Sequence, residues 1–129
     1  MTPQELLQLA SQARNYAYAP YSKFQVGAAL LTKNNRVFTG CNVENASYGL
    51  TNCAERSAVF NAISNGIQTF SAIAIAAPNG GVPCGACRQV LNEFSPNLKI
   101  YLGDENGRLL REVQLSELLP DAFGPENLS

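Results

Sequence analysis

The chain contains no histidine. Any general base working near neutral pH must then be a carboxylate, a lysine, a thiolate or a metal-activated water. Any zinc must be held by thiolates and carboxylates alone. Basic charge is also scarce, with Lys+Arg 9 against Asp+Glu 10 and a formal net charge of −1. That balance gives no electrostatic grip on a phosphate backbone, which argues against nucleic acid as a partner. No run approaches the ~20 apolar residues a bilayer span requires, so no membrane association is expected. The start Thr2-Pro3-Gln4-Glu5 shows no basic cluster leading into an apolar run, so no secretory signal is visible and a cytoplasmic location is expected. Repeats, low-complexity stretches and linkers are absent as well.

What is present suits one folded unit. A chain of 129 residues that is 46% hydrophobic can bury a real core, and a single domain over residues 1–129 is expected. Thr2-x-x-Glu5 with Pro3 between reads as a capping box, and Leu6, Leu9, Ala10, Ala13 and Ala17 recur at helical spacing. A first helix to about Tyr18, ended by Pro20, is predicted. Residues 26–32 and 36–43 are β-type runs separated by the hairpin signal Lys33-Asn34-Asn35. Gly27, Ala28 and Ala29 predict a close neighbour on the first of these strands. The polar loop from Cys41 to Gly49 is dense in groups able to bond a sugar, and equally serves as a plain connector.

A second helix starts at Cys53 and stops at Asn65-Gly66. The apolar run Phe70 to Ala77 predicts a central strand covered on both faces. A third helix opens near Cys84, with Cys84, Cys87, Leu91 and Phe94 on one buried face. Strands at 98–102 and 109–113 and a short helix at 115–119 complete the order α-β-β-α-β-α-β-β-α. The fold class predicted is a three-layer α/β/α sandwich with a mixed, about five-stranded sheet.

The four cysteines would stay reduced in the cytosol, which favours metal or catalytic use. Cys84-x-x-Cys87 alone fits either a redox pair or half a zinc site. A redox pair should follow the first strand of its fold, whereas this pair lies late and has a partner, Cys53, at another helix start. Helix N-termini favour thiolates, so two such termini meeting would form a three-thiolate pocket. Three protein ligands leave one position for water, the pattern of a catalytic zinc. Cys41 is one rival for the fourth position, although its place among apolar residues suits a buried thiol. Glu55 is the other; two residues after Cys53 it points away from the thiolate, which suits service at the open side of the metal. Zinc with three thiolates carries net −1, and Arg56 or Arg88 could offset it by bonding sulfur. Arg88 serves equally as an exposed helix arginine.

Cys53-Ala54-Glu55 followed by Pro83-Cys84-x-x-Cys87 resembles the signature of zinc-dependent nucleoside and nucleobase deaminases, with cysteine as first ligand. Tyr21-Ser22-Lys23-Phe24-x-Val26-Gly27-Ala28-Ala29, the run Gly40 to Tyr48 and the Phe123 tail are similar to the small, homotetrameric cytidine deaminases. The likeness covers almost the whole chain. It implies one zinc per chain on Cys53, Cys84 and Cys87, with Glu55 as proton shuttle. It implies nucleoside contacts from Phe24, Asn42, Val43, Glu44, Ala54, Ala46 and Tyr48, and from Phe123 of a neighbouring subunit. Asn42 and Glu44 would hold ribose hydroxyls, Phe24 would stack near the pyrimidine and Arg56 would neutralise the all-cysteine site. Gln25 stands where relatives often carry proline, so a slightly less rigid loop is expected.

The implied reaction is hydrolysis of cytidine and 2′-deoxycytidine to uridine and 2′-deoxyuridine plus ammonia, in pyrimidine salvage. Glu44 beside the sugar and the lack of a Gly-rich loop with lysine point to a nucleoside, not a nucleotide. The alternatives are a deaminase of a cytosine nucleoside antibiotic of the blasticidin type, or a non-enzymatic structural zinc or redox module.

Overall fold

The run Ala72-Ile73-Ala74-Ile75-Ala76 sorts its side chains onto two faces, small on one and branched on the other. The molecule is built around that division. The computed structural model describes residues 1–128. Its elements are α1 (Pro3–Arg14), β1 (Gly27–Thr32), β2 (Val37–Cys41), α2 (Ala54–Ser64), β3 (Phe70–Ala76), α3 (Gly85–Phe94), β4 (Lys99–Gly103), β5 (Leu109–Gln114) and α4 (Leu115–Leu118). Single 3-10 turns cover Tyr48–Leu50 and Pro125–Asn127.

The strands form one five-stranded sheet in the order β2-β1-β3-β4-β5. β3 and β4 are parallel and every other pair is antiparallel, so the sheet is mixed. β3 is central, as its unbroken apolar run predicts. On the alanine face, Ala29, Ala72, Ala74 and Ala76 pack against Leu6, Leu7 and Ala10 of α1. On the other, Leu30, Ile73, Ile75, Ile100 and Leu102 meet Ala58 and Val59 of α2, Leu91 of α3 and Leu115 of α4. The three-layer α/β/α sandwich is thereby complete. Small residues let α1 approach closely: a Cβ on Gly27 would lie 2.0 Å from the Ala10 carbonyl oxygen.

Helix α1 opens on its capping box, Thr2 Oγ1 accepting from Glu5 N at 3.1 Å and Glu5 Oε1 from Thr2 N at 2.9 Å. It stops at Arg14, short of the predicted Tyr18. Tyr18 N donates to the Asn42 carbonyl and its own carbonyl accepts from Glu44 N, a bridge incompatible with helical bonding. The buried face also differs by a residue: Leu7 is fully buried, while Ala17 lies beyond the helix. Residues 42–43 likewise leave β2, which ends at Cys41.

Gly27 faces both Cys41 and Ala76 in the sheet register. The start of β1 and the ends of β2 and β3 therefore share one edge. The loops leaving β2 and β3 lead into α2 and α3, so both helix N-termini open at that same edge.

Candidate metal centre and active site

Cys53 is the N-cap of α2 and Cys84 the N-cap of α3; neither side chain caps its own helix. Both sulfurs are thus free to face each other, and Cys87 joins them from the first turn of α3. The Sγ atoms of Cys53 and Cys84 are 3.9 Å apart, and those of Cys84 and Cys87 are 3.4 Å apart. All three lie within 4.8 Å of one another. Sulfurs at tetrahedral vertices about 2.3 Å from zinc sit about 3.8 Å apart, so the trio fits that ion with one vertex to spare. Cys87 is fully buried while Cys84 is exposed, so the two thiols do not share a buried face as expected. Cys84 stands at the helix mouth because it precedes the first helical residue.

Arg56 Nη2 donates to Cys53 Sγ at 3.3 Å and reaches the Thr51 carbonyl at 3.5 Å. Its Nε is buried with no partner. The Cys53 thiol is drawn down to about 5: the hydrogen bond from Cys87 is the largest cause, burial opposes it, and the Arg56 guanidinium adds to it. Cys87 is pushed far up by that same bond, by burial and by Glu55. A divalent ion takes cysteines as thiolates, so binding one would displace the proton that Cys87 is disposed to keep.

Glu55, one residue into α2, is 5% exposed. Burial is the main force raising its carboxyl above the ordinary range, with the Cys53 charge adding. A cavity of about 400 Å³ opens above these groups, within the size range of small-molecule sites. Cys53, Ala54, Glu55 and Cys84 line it. Phe24, Asn42 and Glu44 line it as well, as do Ser22, Val26, Thr51, Ile75, Ala77, Gly81 and Val82.

Asn42 is buried at 9% exposure; Oδ1 accepts from Val26 N at 2.9 Å and Nδ2 donates to the Phe24 carbonyl at 2.8 Å. Glu44 Oε1 accepts from Tyr21 N at 2.9 Å and Ser22 N at 3.1 Å, while Oε2 accepts from Ser22 Oγ. The Ser22 hydroxyl is the main cause of Glu44's lowered pKa. Gln25 is bonded within this loop: its Nε2 donates to the Ala17 carbonyl at 3.3 Å and its own carbonyl accepts from Arg14 Nε at 2.9 Å.

Other expected residues fall outside the cavity wall. Val43 is bridged to Tyr18 and Asn52, and its side chain is exposed. Ala46 is exposed. Tyr48, 77% exposed, meets Tyr21 edge-on in an adjoining cleft that shares Ser22, Glu44 and Thr51 with the cavity. Phe123 is exposed, its carbonyl accepting from Gln89 and Asn92 of α3. Cys41 is apart from the sulfur trio and only partly buried, in a surface cleft beside α1. Arg88 bonds no sulfur; Nε donates to the Pro83 carbonyl at 2.8 Å and Nη1 to the Leu118 carbonyl at 2.9 Å. It ties the cysteine loop to α4. Ile75, Ala77, Gly81, Val82 and Thr51 had no motif signal, since apolar wall positions look like core or connector in sequence.

Three clustered thiols beside a buried carboxyl whose pKa burial raises are the donor set and acid-base group that a hydrolytic zinc centre needs, here in an α/β/α sandwich. Residues 1–103 match the model of the cytidine and deoxycytidylate deaminase zinc-binding region. A cytidine deaminase of Halalkalibacterium halodurans is 53% identical over 132 residues, covering 100% of this chain and 99% of the relative. One from Mycobacterium tuberculosis is 47% identical over 121 residues, covering 92% and 87%. The crystal structure of a Burkholderia pseudomallei cytidine deaminase superposes with a TM-score of 0.90 at 51% identity, covering 95% of this chain and 100% of that one. The chain belongs to the cytidine and deoxycytidylate deaminase family.

Proposed function

We propose that this chain hydrolyses cytidine and 2′-deoxycytidine to uridine and 2′-deoxyuridine with release of ammonia. The observation that carries this is one cavity lined together by Cys53 and Cys84 of the sulfur trio, by Glu55, and by Phe24, Asn42 and Glu44. Cys53, Cys84 and Cys87 would hold one zinc per chain. That ion supplies the Lewis acidity that makes a water molecule a nucleophile near neutral pH.

The protein's own groups do the rest. Glu55, whose pKa burial raises, gives a proton to ring N3 and thereby makes C4 electrophilic. It takes up both protons of the attacking water in turn, passing one to the departing amino nitrogen and keeping the other, so its own proton is restored. One water is consumed and one ammonia leaves. The Phe24 ring walls the pyrimidine, and the Ala54 backbone meets the base edge. Glu44 stays anionic because three donors point at it, so it accepts sugar hydroxyls and repels a phosphate.

The chain works as a homotetramer with sites shared between subunits, in the cytoplasm and in pyrimidine salvage. The exposure of Tyr48 and Phe123 supports the shared site: both stand clear of their own subunit's cavity wall. Val43 and Ala46 belong to the same rim. The test is the Glu55→Gln variant, followed by ultraviolet change on cytidine and by metal content. Zinc and nucleoside binding should persist while turnover falls by about 10²–10⁴. Near-normal turnover would refute the proton-carrying role. Zinc tightly held with no turnover by the unaltered chain would return a structural zinc module.

A further inference from the structure

The segment from Tyr21 to Val26 forms one side of the cavity, and almost none of its backbone bonds come from regular structure. Tyr21 N and Ser22 N donate to Glu44 Oε1, and Ser22 Oγ donates to Glu44 Oε2. Ser22 Oγ also accepts from Phe24 N at 3.0 Å. Lys23, between them, has φ 60°, a left-handed conformation that a lysine rarely adopts unassisted. Among the described residues, the hydroxyl is thus the one hydrogen-bonded link between the Glu44 carboxylate and the Phe24 amide: it gives its proton to one and receives from the other. Cooperative chains of this kind are stronger than their separate bonds.

We propose that Ser22 is a positioning residue that locks the sugar-side acceptor Glu44 and the base-side wall Phe24 into one unit. This rests on the reading of the cavity as a nucleoside site. A serine hydroxyl suits the task because it both donates and accepts, and its length lets it fold back onto a backbone amide two residues on. A nucleoside therefore meets an acceptor and a ring wall already fixed relative to each other. Without the hydroxyl, Glu44 keeps two backbone donors but loses its hold on Oε2, and the Lys23 turn keeps its Lys23 N bond to the Ala19 carbonyl but loses the bond at Phe24 N. Affinity should suffer at both ends of the substrate, while Glu55 and the sulfur cluster are untouched.

Two readouts separate this claim from the function itself. In amide hydrogen exchange on the zinc-loaded protein without nucleoside, Glu44→Ala should speed exchange at Phe24 N about tenfold, although Glu44 makes no bond to that amide. Ser22→Ala should do the same. Phe24 protection unchanged in Glu44→Ala would overturn the relay, whatever the protein does with cytidine. In steady-state kinetics, Ser22→Ala should raise KM for cytidine about tenfold with kcat within about twofold, and Ser22→Thr should restore most of it. On 2′,3′-dideoxycytidine, which offers Glu44 no ring hydroxyl, Ser22→Ala should still raise KM about threefold through Phe24. A penalty that vanishes on that analogue, or one confined to kcat, would overturn the coupling. Should Ser22→Ala fail to fold, Ser22→Cys keeps the shape with a weaker donor and should show the same KM pattern. An unaltered chain that turns over no cytidine would sink the nucleoside reading and leave the exchange result standing.

Discussion

Replacing Arg56 by glutamine tests how the centre balances charge. Zinc with three thiolates carries net −1, and Arg56 is the cation bonded to that cluster, through Nη2 to Cys53 Sγ at 3.3 Å. Removing it takes away one charge-assisted bond, for which about 1.5–3 kcal/mol is usual. The contact is long and the arginine only half-buried, so the lower end applies, and kcat should fall by roughly 10–30-fold. The loss should lie in kcat more than KM, because the more negative cluster holds its metal but polarises it less. A second substitution then decides the cause. Cys53→His replaces a thiolate by a neutral imidazole, so Arg56→Gln with Cys53→His restores the net charge and should recover at least about threefold of the lost kcat. Ultraviolet assay of cytidine loss, with zinc content on the same samples, reads both. Arg56→Gln within about twofold of the unaltered chain, or a double variant no better than the single, would refute charge balance.

Other outcomes follow from the same geometry. Cytidine 5′-monophosphate should be turned over with kcat/KM at least about 100-fold below cytidine, since Glu44 keeps its charge beside the sugar; comparable values would refute the nucleoside assignment. The folded-state pKa of Glu44 lies below its ordinary 4.5, through the Ser22 bonds first and the Lys23 charge last. Its stabilisation is then full above pH 4.5 and fades only as pH falls through the lower folded value. Amide protection at Tyr21 and Ser22 should accordingly persist at pH 4.5, and loss beginning near pH 6 would contradict this. Gly27→Ala should destabilise by about 3 kcal/mol or more, because the added methyl meets α1 backbone that cannot yield, with Ala10 O at 2.0 Å. A melting temperature unchanged in that variant would mean α1 is not seated as described.

Much of the architecture was legible because it rests on local patterns. The capping box at Thr2, the hairpin at Lys33-Asn34-Asn35 and the unbroken apolar run of β3 each name their element from a few neighbouring residues. The end of α1 was not legible, because Tyr18 leaves the helix to bridge Asn42 and Glu44, residues distant in sequence. Arg88 carries the same lesson. Beside Cys87 it looked like a partner for sulfur, yet its fork is taken by two carbonyls, one on α4. The sulfur trio was readable from spacing, whereas the apolar wall of Ile75, Ala77 and Val82 was not, since nothing in those residues distinguishes wall from core. Glu44's three donors were hidden for a further reason: a loop's bonds depend on its fold, and φ 60° at Lys23 has no sequence signature.

The account depends above all on a centre with three sulfur ligands and one open position beside Glu55. Zinc-edge X-ray absorption on the active protein measures that shell directly. It should find three sulfur atoms at about 2.3 Å and one oxygen at about 2.0 Å. Four sulfurs and no oxygen, as would follow from recruitment of Cys41, would contradict it.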